Sequence, residues 1–185
     1  MIELRPAESA QDAAACAAIY APYVTDTVIS LEETAPTEAE MAVRIAKNAK
    51  HQAWLMAELD GEPVGFAYGS QHRERAAYRW AADVSVYIDR RAHRRGIGRQ
   101  LYTELLHRLT GLGYYVACAG ITLPNEASVA LHESFGFVKV GVYRNIGFKF
   151  GAWHDVGWWQ TQLRATRRDE GPAEPGLGRP SRRFD

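Results

Sequence analysis

The sequence predicts an α/β domain with a mixed, mostly antiparallel central sheet of about six to seven strands and helices on both faces. Three observations carry that reading. Segments with strand-like alternation are interleaved with segments of helical periodicity. Asp60-Gly61 is a hairpin signal between two apolar runs. A glycine-rich turn, AHRRGIGRQL at Ala92 to Leu101, joins a strand pattern to an amphipathic helix pattern.

In chain order, Ile2 to Arg5 reads as a short strand and Asp12 to Val24 as a helix whose apolar residues include Ile19, Tyr20 and Val24. Thr37 and Glu40 form a capping box just after Pro36, which starts a second helix running to Asn48. Ala53 to Leu59 and Pro63 to Ser70 are the two arms of the hairpin. Trp80 to Ile88 alternates Asp83, Ser85 and Tyr87 against Val84, Val86 and Ile88, so the next strand has two distinct faces. After the glycine-rich turn, Ile97, Leu101, Leu105 and Leu109, closed by Leu112 ahead of Gly113, make a core-facing helix. Tyr115 to Thr122 is a strand, and Leu123-Pro124-Asn125 leads into a helix with Asn125 as N-cap. Gly136 ends that helix in the left-handed conformation. Phe137 to Phe148 and His154 to Thr161 form a closing strand pair around Gly151. From Arg164 onward six arginines, three prolines and three glycines with almost no apolar residue predict a disordered tail. The domain is therefore residues 1–163 and the tail residues 164–185.

Composition narrows the function classes. At 185 residues with 46% hydrophobic content the chain can bury one full core. The 22 basic and 22 acidic residues balance, so no global field recruits nucleic acid or an anionic membrane. Cys16 and Cys118 make neither a disulfide framework nor a metal-ligand spacing, and both read as core residues; no metal is expected. The start, MIELRPAES, has no signal-peptide apolar stretch and no run approaches membrane-spanning length, which points to the cytoplasm.

The turn itself reads as a pyrophosphate site. Gly96 and Gly98 let the backbone come close to an anion, and the unpaired amides of the helix start at Ile97 favour negative charge. Arg94, Arg95 and Arg99 add charge to that cradle. A P-loop is excluded because no Gly-Lys-Ser/Thr follows. A dinucleotide fingerprint is excluded because Leu101 stands where its third glycine belongs. The segment instead resembles the R/Q-x-x-G-x-G/A signature of the GNAT superfamily of acetyl-CoA-dependent N-acetyltransferases. His93 occupies the arginine-or-glutamine position. In that family backbone amides make much of this contact, so the substitution is expected to be tolerated.

Further segments extend the resemblance over most of residues 2 to 163. AYRWAADVSVYI at Ala77 to Ile88, LPNEASVALHESFGF at Leu123 to Phe137 and GFKFGAWHDVGWWQ at Gly147 to Gln160 are similar to the phosphinothricin and methionine sulfoximine N-acetyltransferases. The resemblance implies a GNAT fold and direct transfer from acetyl-CoA to the α-amino group of a small glutamate-like amino acid. It departs at Asp83, where that subfamily commonly has glutamate, at Leu31, commonly phenylalanine, and at Phe150, commonly histidine. Asp83 then becomes the first candidate for the base that deprotonates the acceptor, with Glu32 and Glu33 in reserve. His132 stands where a proton donor to the departing thiolate is implied. Asn125 and Ser128 are implied to meet the pantetheine arm, as are backbone groups of Val86, Tyr87 and Ile88 on an open strand edge. Leu31, Glu32, Arg75, Tyr78 and Arg79 are the implied acceptor-site residues, the arginines as forks for a carboxylate. His72, Arg73, Arg75 and Arg79 read equally well as a solvated loop.

Trp153, His154, Asp155, Trp158 and Trp159 read as core and as contact in a homodimer. His154 and Asp155 are strand neighbours on opposite faces, which argues against a dyad. In such a dimer Lys149 or Arg144 would stand near the neighbouring acceptor pocket. Cys118 has no basic partner in its segment and is no acyl carrier. Two other readings compete: an acetyltransferase for another small amine or a protein N-terminus, and an acetyl-CoA-binding module that has lost catalysis.

Overall fold

The computed structural model describes residues 1–49, 51–166 and 171–176. Seven strands form one sheet: β1 (Ile2–Pro6), β2 (Trp54–Leu59), β3 (Glu62–Gln71), β4 (Ala81–Ile88), β5 (Val116–Leu123), β6 (Val138–Lys149) and β7 (Ala152–Gln162). Their order across the sheet is β1-β2-β3-β4-β5-β7-β6. Every neighbouring pair is antiparallel except β4 with β5. Four helices, α1 (Ser9–Thr25), α2 (Glu38–Ala49), α3 (Ile97–Gly111) and α4 (Glu126–Glu133), complete the described fold. The expected mixed sheet with helices on both faces is what the chain forms.

The sheet is buried on both sides, and strand alternation decides which residue serves which core. In β2, Leu55 and Ala57 join the α3 side with Val84, Leu101, Leu105 and Leu109. Trp54 and Met56 join the α1 and α2 side with Cys16, Ile19, Met41, Ile45 and Phe66. The stripe read from Ile97 to Leu109 is completely buried. The capping box forms: Thr37 Oγ1 accepts the Glu40 amide at 3.2 Å, and Glu40 Oε2 accepts the Thr37 amide at 2.7 Å. Asp60, at φ 53°, and Gly61, at φ 85°, turn the β2–β3 hairpin with both residues left-handed.

One boundary moved for a reason that periodicity does not carry. Helix α1 starts at Ser9 rather than Asp12, because the Asp12 carboxylate reaches back to accept the Glu8 amide at 2.7 Å. The same carboxylate takes a two-pronged ion pair from Arg5 of β1, and Arg5 also meets Glu58 of β2. Asp12 is 2% exposed, so one buried charge fastens helix, edge strand and hairpin. The tail expectation meets a seated segment among the described residues: Gly176 donates to Leu112 O at 2.9 Å, and Glu174 pairs with Arg79 at 2.6 Å. Residues 167–170 and 177–185, on which the rest of that expectation falls, lie outside the described residues.

Asp12→Ala removes the partner of a mostly buried guanidinium and uncaps α1. We expect a loss of about 3 kcal/mol in stability, read by urea unfolding at neutral pH.

Candidate functional site

The site begins where the sheet divides. Strands β4 and β5 pair only at Ala81 with Val116, Ala82 with Ala117 and Asp83 with Cys118. Beyond that point β4 stays with β3 as far as Ile88, while β5 stays with β7 as far as Leu123. Two parallel strands therefore diverge toward their C-terminal ends, and α3 and α4 start just past those ends. Crevices of this kind are where α/β sheets bind ligands. A cavity of about 60 Å³ lies in the fork, lined by residues that include Val86, Thr122, Asn125, Ser128, Tyr102 and His132.

At the mouth of the fork the glycine-rich turn forms a nest of backbone amides. Arg94 (φ 63°) and Gly96 (φ 76°) are both left-handed, a sequence that turns successive amides toward one point. The Gln100 amide makes the first helical bond, to Gly96 O, so the amides of Ile97, Gly98 and Arg99 have no helical acceptor. A Cβ at Gly98 would meet only Leu131 Cδ2, at 3.6 Å. Its absence therefore serves the open side of the turn and not the packing beneath it. Arg94, Arg95 and Arg99 are exposed around it.

The His93 departure has a local explanation. His93 Nε2 lies 3.1 Å from Ile88 O and 3.0 Å from the Tyr23 hydroxyl, which itself donates to Ile88 O at 2.5 Å. The ring ties the turn to the end of β4. The Ile88 amide also points at Tyr23 Oη, so both backbone groups of Ile88 face away from β3. By alternation those of Val86 face the fork and those of Tyr87 face β3. Val86 is thus the open-edge residue of the three; Ile88 is already engaged, and the Tyr87 ring packs against Tyr20 and Tyr23.

Asn125 caps α4 by accepting the Ser128 amide at 3.1 Å, as expected. His132, 4% exposed, is held from both sides: Nδ1 donates to Ser128 O at 2.7 Å and Nε2 accepts from the Tyr102 hydroxyl at 2.9 Å. Burial lowers its pKa, so the ring is neutral at physiological pH. The proton nearest the fork then sits on Tyr102, whose own ionisation burial opposes.

Asp83, the last β4 residue paired with β5, accepts from His72 Nδ1 at 2.6 Å. Burial raises the carboxyl pKa, while His72 and then Arg73 act against that rise. Polar atoms of His72, Asp83 and Cys118 all lie within 4.8 Å of one another. They border a second cavity of about 350 Å³ that is lined by His72, Arg73, Cys118, Tyr143, Trp158 and Gln160 among others. Cys118 faces this cavity and Gly120 the first, two residues apart on one strand face, so the two cavities flank the same turn of β5. Burial pushes the Cys118 thiol up to about 11, which leaves no thiolate for acyl transfer.

The other expected residues divide. Tyr78 is exposed with its ring 6.1 Å from that of His72, and Arg75 is exposed at the start of the same short helical turn. Arg79 stacks on Trp80 at 3.8 Å and is ion-paired with Glu174, away from Asp83. Glu32 is clamped by Arg44 at 2.7 and 2.9 Å and by the Tyr20 hydroxyl; Arg44 holds its carboxyl below the usual range. Glu32 lines neither cavity, Leu31 packs over Gly147, and Glu33 is exposed. Lys149 is not available to a neighbouring pocket: it is 4% exposed and donates to Val24 O and Ser30 O of its own chain. The C-terminal aromatics also separate. Trp159 is core, Trp158 lines the larger cavity, and Trp153 is 62% exposed against Phe148. Sequence reasoning left out Tyr102 and Tyr23, read Trp158 as core and dimer contact rather than as a cavity wall, and left His72 in a loop with no role. The usable signal for His72 was the β3–β4 register, which sets Ser70 opposite Asp83 and so brings the next residues beside it.

Comparison with known proteins agrees with this geometry. Residues 6–158 match the family described as Acetyltransferase (GNAT) domain. The chain is 37% identical over 179 residues to a phosphinothricin N-acetyltransferase of Streptomyces viridochromogenes, covering 97% of this chain and 94% of that one. It is 40% identical over 156 residues to another from Alcaligenes faecalis, covering 83% and 79%. A crystal structure of a GNAT superfamily phosphinothricin acetyltransferase from Sinorhizobium meliloti in complex with AcCoA superposes with a TM-score of 0.88 at 35% identity, covering 96% of each chain.

The buried neutral His132 has a consequence for stability. Its folded pKa lies below the unfolded value of about 6.5, so the stability it contributes is full above that pH and is lost as pH falls toward the folded pKa. The urea midpoint of the parent should drop between pH of about 7.5 and about 5.5. The drop should be smaller in His132→Gln, because the opposite contribution of Asp83 is common to both proteins.

Proposed function

The chain belongs to the GNAT acetyltransferase family, and from that premise we propose that it transfers an acetyl group directly from acetyl-CoA to the α-amino group of a small glutamate-like amino acid. Phosphinothricin, methionine sulfoximine and methionine sulfone represent that class. The observation carrying the reading is the fork itself, with an amide nest at its mouth and a half-buried carboxylate beside a second cavity at its base. Acetyl-CoA supplies the acyl group as an activated thioester. The amides of Ile97, Gly98 and Arg99, with Arg94 and Arg95, hold its pyrophosphate. The open edge at Val86 and the side chains of Asn125 and Ser128 line the path of its arm. Asp83 organises removal of the acceptor's proton, since only the neutral amine is nucleophilic. The His132–Tyr102 pair stands in the fork to protonate the departing thiolate. Arg75 and Tyr78 border the acceptor side, where a guanidinium fork suits a carboxylate, while Arg79 is already taken by Glu174. With two buried free cysteines, the enzyme is assigned to the cytoplasm; no helix among the described residues is long and apolar enough to cross a membrane.

The same reading includes a homodimer. Strand β6 is the sheet edge and exposes Val138, Val140, Tyr143, Ile146 and Phe148, with Phe150 and Trp153 beside it. A two-fold contact would cover this stripe against itself. Phe150→Asp should shift sedimentation at micromolar concentration toward monomer; a parent that is already monomeric there removes the dimer from the reading.

The acceptor class is tested by following free thiol release from acetyl-CoA with phosphinothricin, methionine sulfoximine, methionine sulfone and simple amines. The first three should turn over, and activity confined to simple amines or an N-terminal peptide would replace this acceptor class. Gly98→Val should keep the fold, since a Cβ there makes only an ordinary contact with the flexible end of Leu131, and raise the acetyl-CoA Kd at least about tenfold by calorimetry. Unchanged affinity would move the pyrophosphate elsewhere.

A further inference from the structure

The hydrogen bond between His72 and Asp83 bears on which atom takes the acceptor's proton. Asp83 Oδ1 is engaged by His72 Nδ1 at 2.6 Å. The other ring nitrogen, Nε2, makes no hydrogen bond among the described residues, and the ring lines the 350 Å³ cavity. The ring is held in place: its edge-on neighbours are Tyr78 at 6.1 Å and Trp158 at 6.0 Å, and Arg73 lies over Trp158 at 5.6 Å. The alternative base read from the sequence, Glu32, lines neither cavity and is fastened to Arg44.

We propose that His72 is the base of this enzyme, with Asp83 accepting its Nδ1–H so that the Nε2 lone pair faces the acceptor cavity. The proposal rests on the acetyltransferase reading and deepens it. An aspartate is one methylene shorter than glutamate, and the imidazole extends its reach. In the transfer, Nε2 takes the proton of the acceptor ammonium and the freed amine pair forms the new N–C bond at the thioester carbonyl. The C–S bond breaks with its electron pair on sulfur. The second amine proton replaces the one that the Tyr102 hydroxyl gives to the thiolate, so the sulfur leaves as a thiol and Tyr102 ends as it began. Protons and charge balance: an ammonium and a thioester give an amide, a thiol and one proton held on His72. Asp83 stabilises the imidazolium that forms, as the carboxylate of an Asp–His pair does in hydrolases. The groups facing His72 are Asp83 from β4, Cys118 from β5, Tyr143 from β6, uncharged Trp158 and Gln160 from β7, and Arg73 and Tyr78 from its own loop.

Two measurements test this, and the first needs no acceptor. Long-range nitrogen–proton spectra, with the His72 signals assigned by their loss in His72→Ala, should show Nδ1 protonated and Nε2 bare above neutral pH. Asp83→Asn should move the proton to Nε2, because the amide can donate to Nδ1. A parent ring protonated on Nε2 overturns the proposal even if no acceptor has been found. The second is kinetic. His72→Ala and the shape-preserving His72→Gln should both lose about 10²- to 10⁴-fold in kcat with acetyl-CoA affinity unchanged. Added imidazole should restore His72→Ala in proportion to its concentration and basicity, a response that loss of packing would not produce. If His72→Gln keeps the parental kcat and the parental acid limb of the pH profile, Asp83 takes the proton itself and the inference fails. Absence of turnover in the parent with every acceptor would count against the acceptor class alone, since the tautomer still decides the pair.

Discussion

The parting of β4 from β5 after Asp83 and Cys118 is the constraint on which the rest depends. Each strand keeps its other partner, so neither can close the gap: β4 follows β3 to Ile88 and β5 follows β7 to Leu123. The parallel direction of the pair then places two helix starts on the same side. Amides of α3 and the capped start of α4 therefore converge on an opening edged by unpaired backbone, which suits a long, polar, anionic ligand. Trp158 helps set the opposite wall, where Gly120 leaves room for its ring: a Cβ at Gly120 would lie 3.3 Å from the indole.

Buried polar groups hold this opening rigid. Asp12 fastens α1 to β1 and β2 through Arg5. Lys149 runs its ammonium under the connection between α1 and α2 to reach Val24 O and Ser30 O, and burial lowers its pKa. Tyr23, with the exposed His93 ring beside it, fixes the last residue of β4, and Tyr102 and His132 fix the depth of the fork. Every one of these groups has a partner, as burial of a polar atom requires. The balance of 22 basic and 22 acidic residues therefore conceals strong local order: the exposed arginines surround the nest while the buried carboxylates hold scaffold and base.

Much of this was legible where the signal is local. The hairpin at Asp60-Gly61, the capping box at Thr37, the N-cap at Asn125 and the stripe from Ile97 to Leu109 each depend on a few neighbouring residues, and each formed as read. Asp12 was misplaced as a helix start because its carboxylate acts on the preceding turn and on a strand from elsewhere in the fold. Glu32 and Arg79 read as free charges. Their partners, Arg44 and Glu174, are 12 and 95 residues away, and sequence spacing carries no information about such pairs.

By itself the sequence determined the strand and helix pattern, the two faces of β4 and the left-handed glycine at Gly136 that ends α4, because backbone conformation and alternation are properties of adjacent residues. It also singled out Asp83 and His132, which the structure sets beside the two cavities. Only the tertiary structure decided how those two are wired. Burial leaves His132 neutral with Tyr102 as its proton donor, and the return of the chain after β3 sets His72 against Asp83. Proton positions depend on solvation and on the nearest partner in space, and both are set only when distant segments pack together.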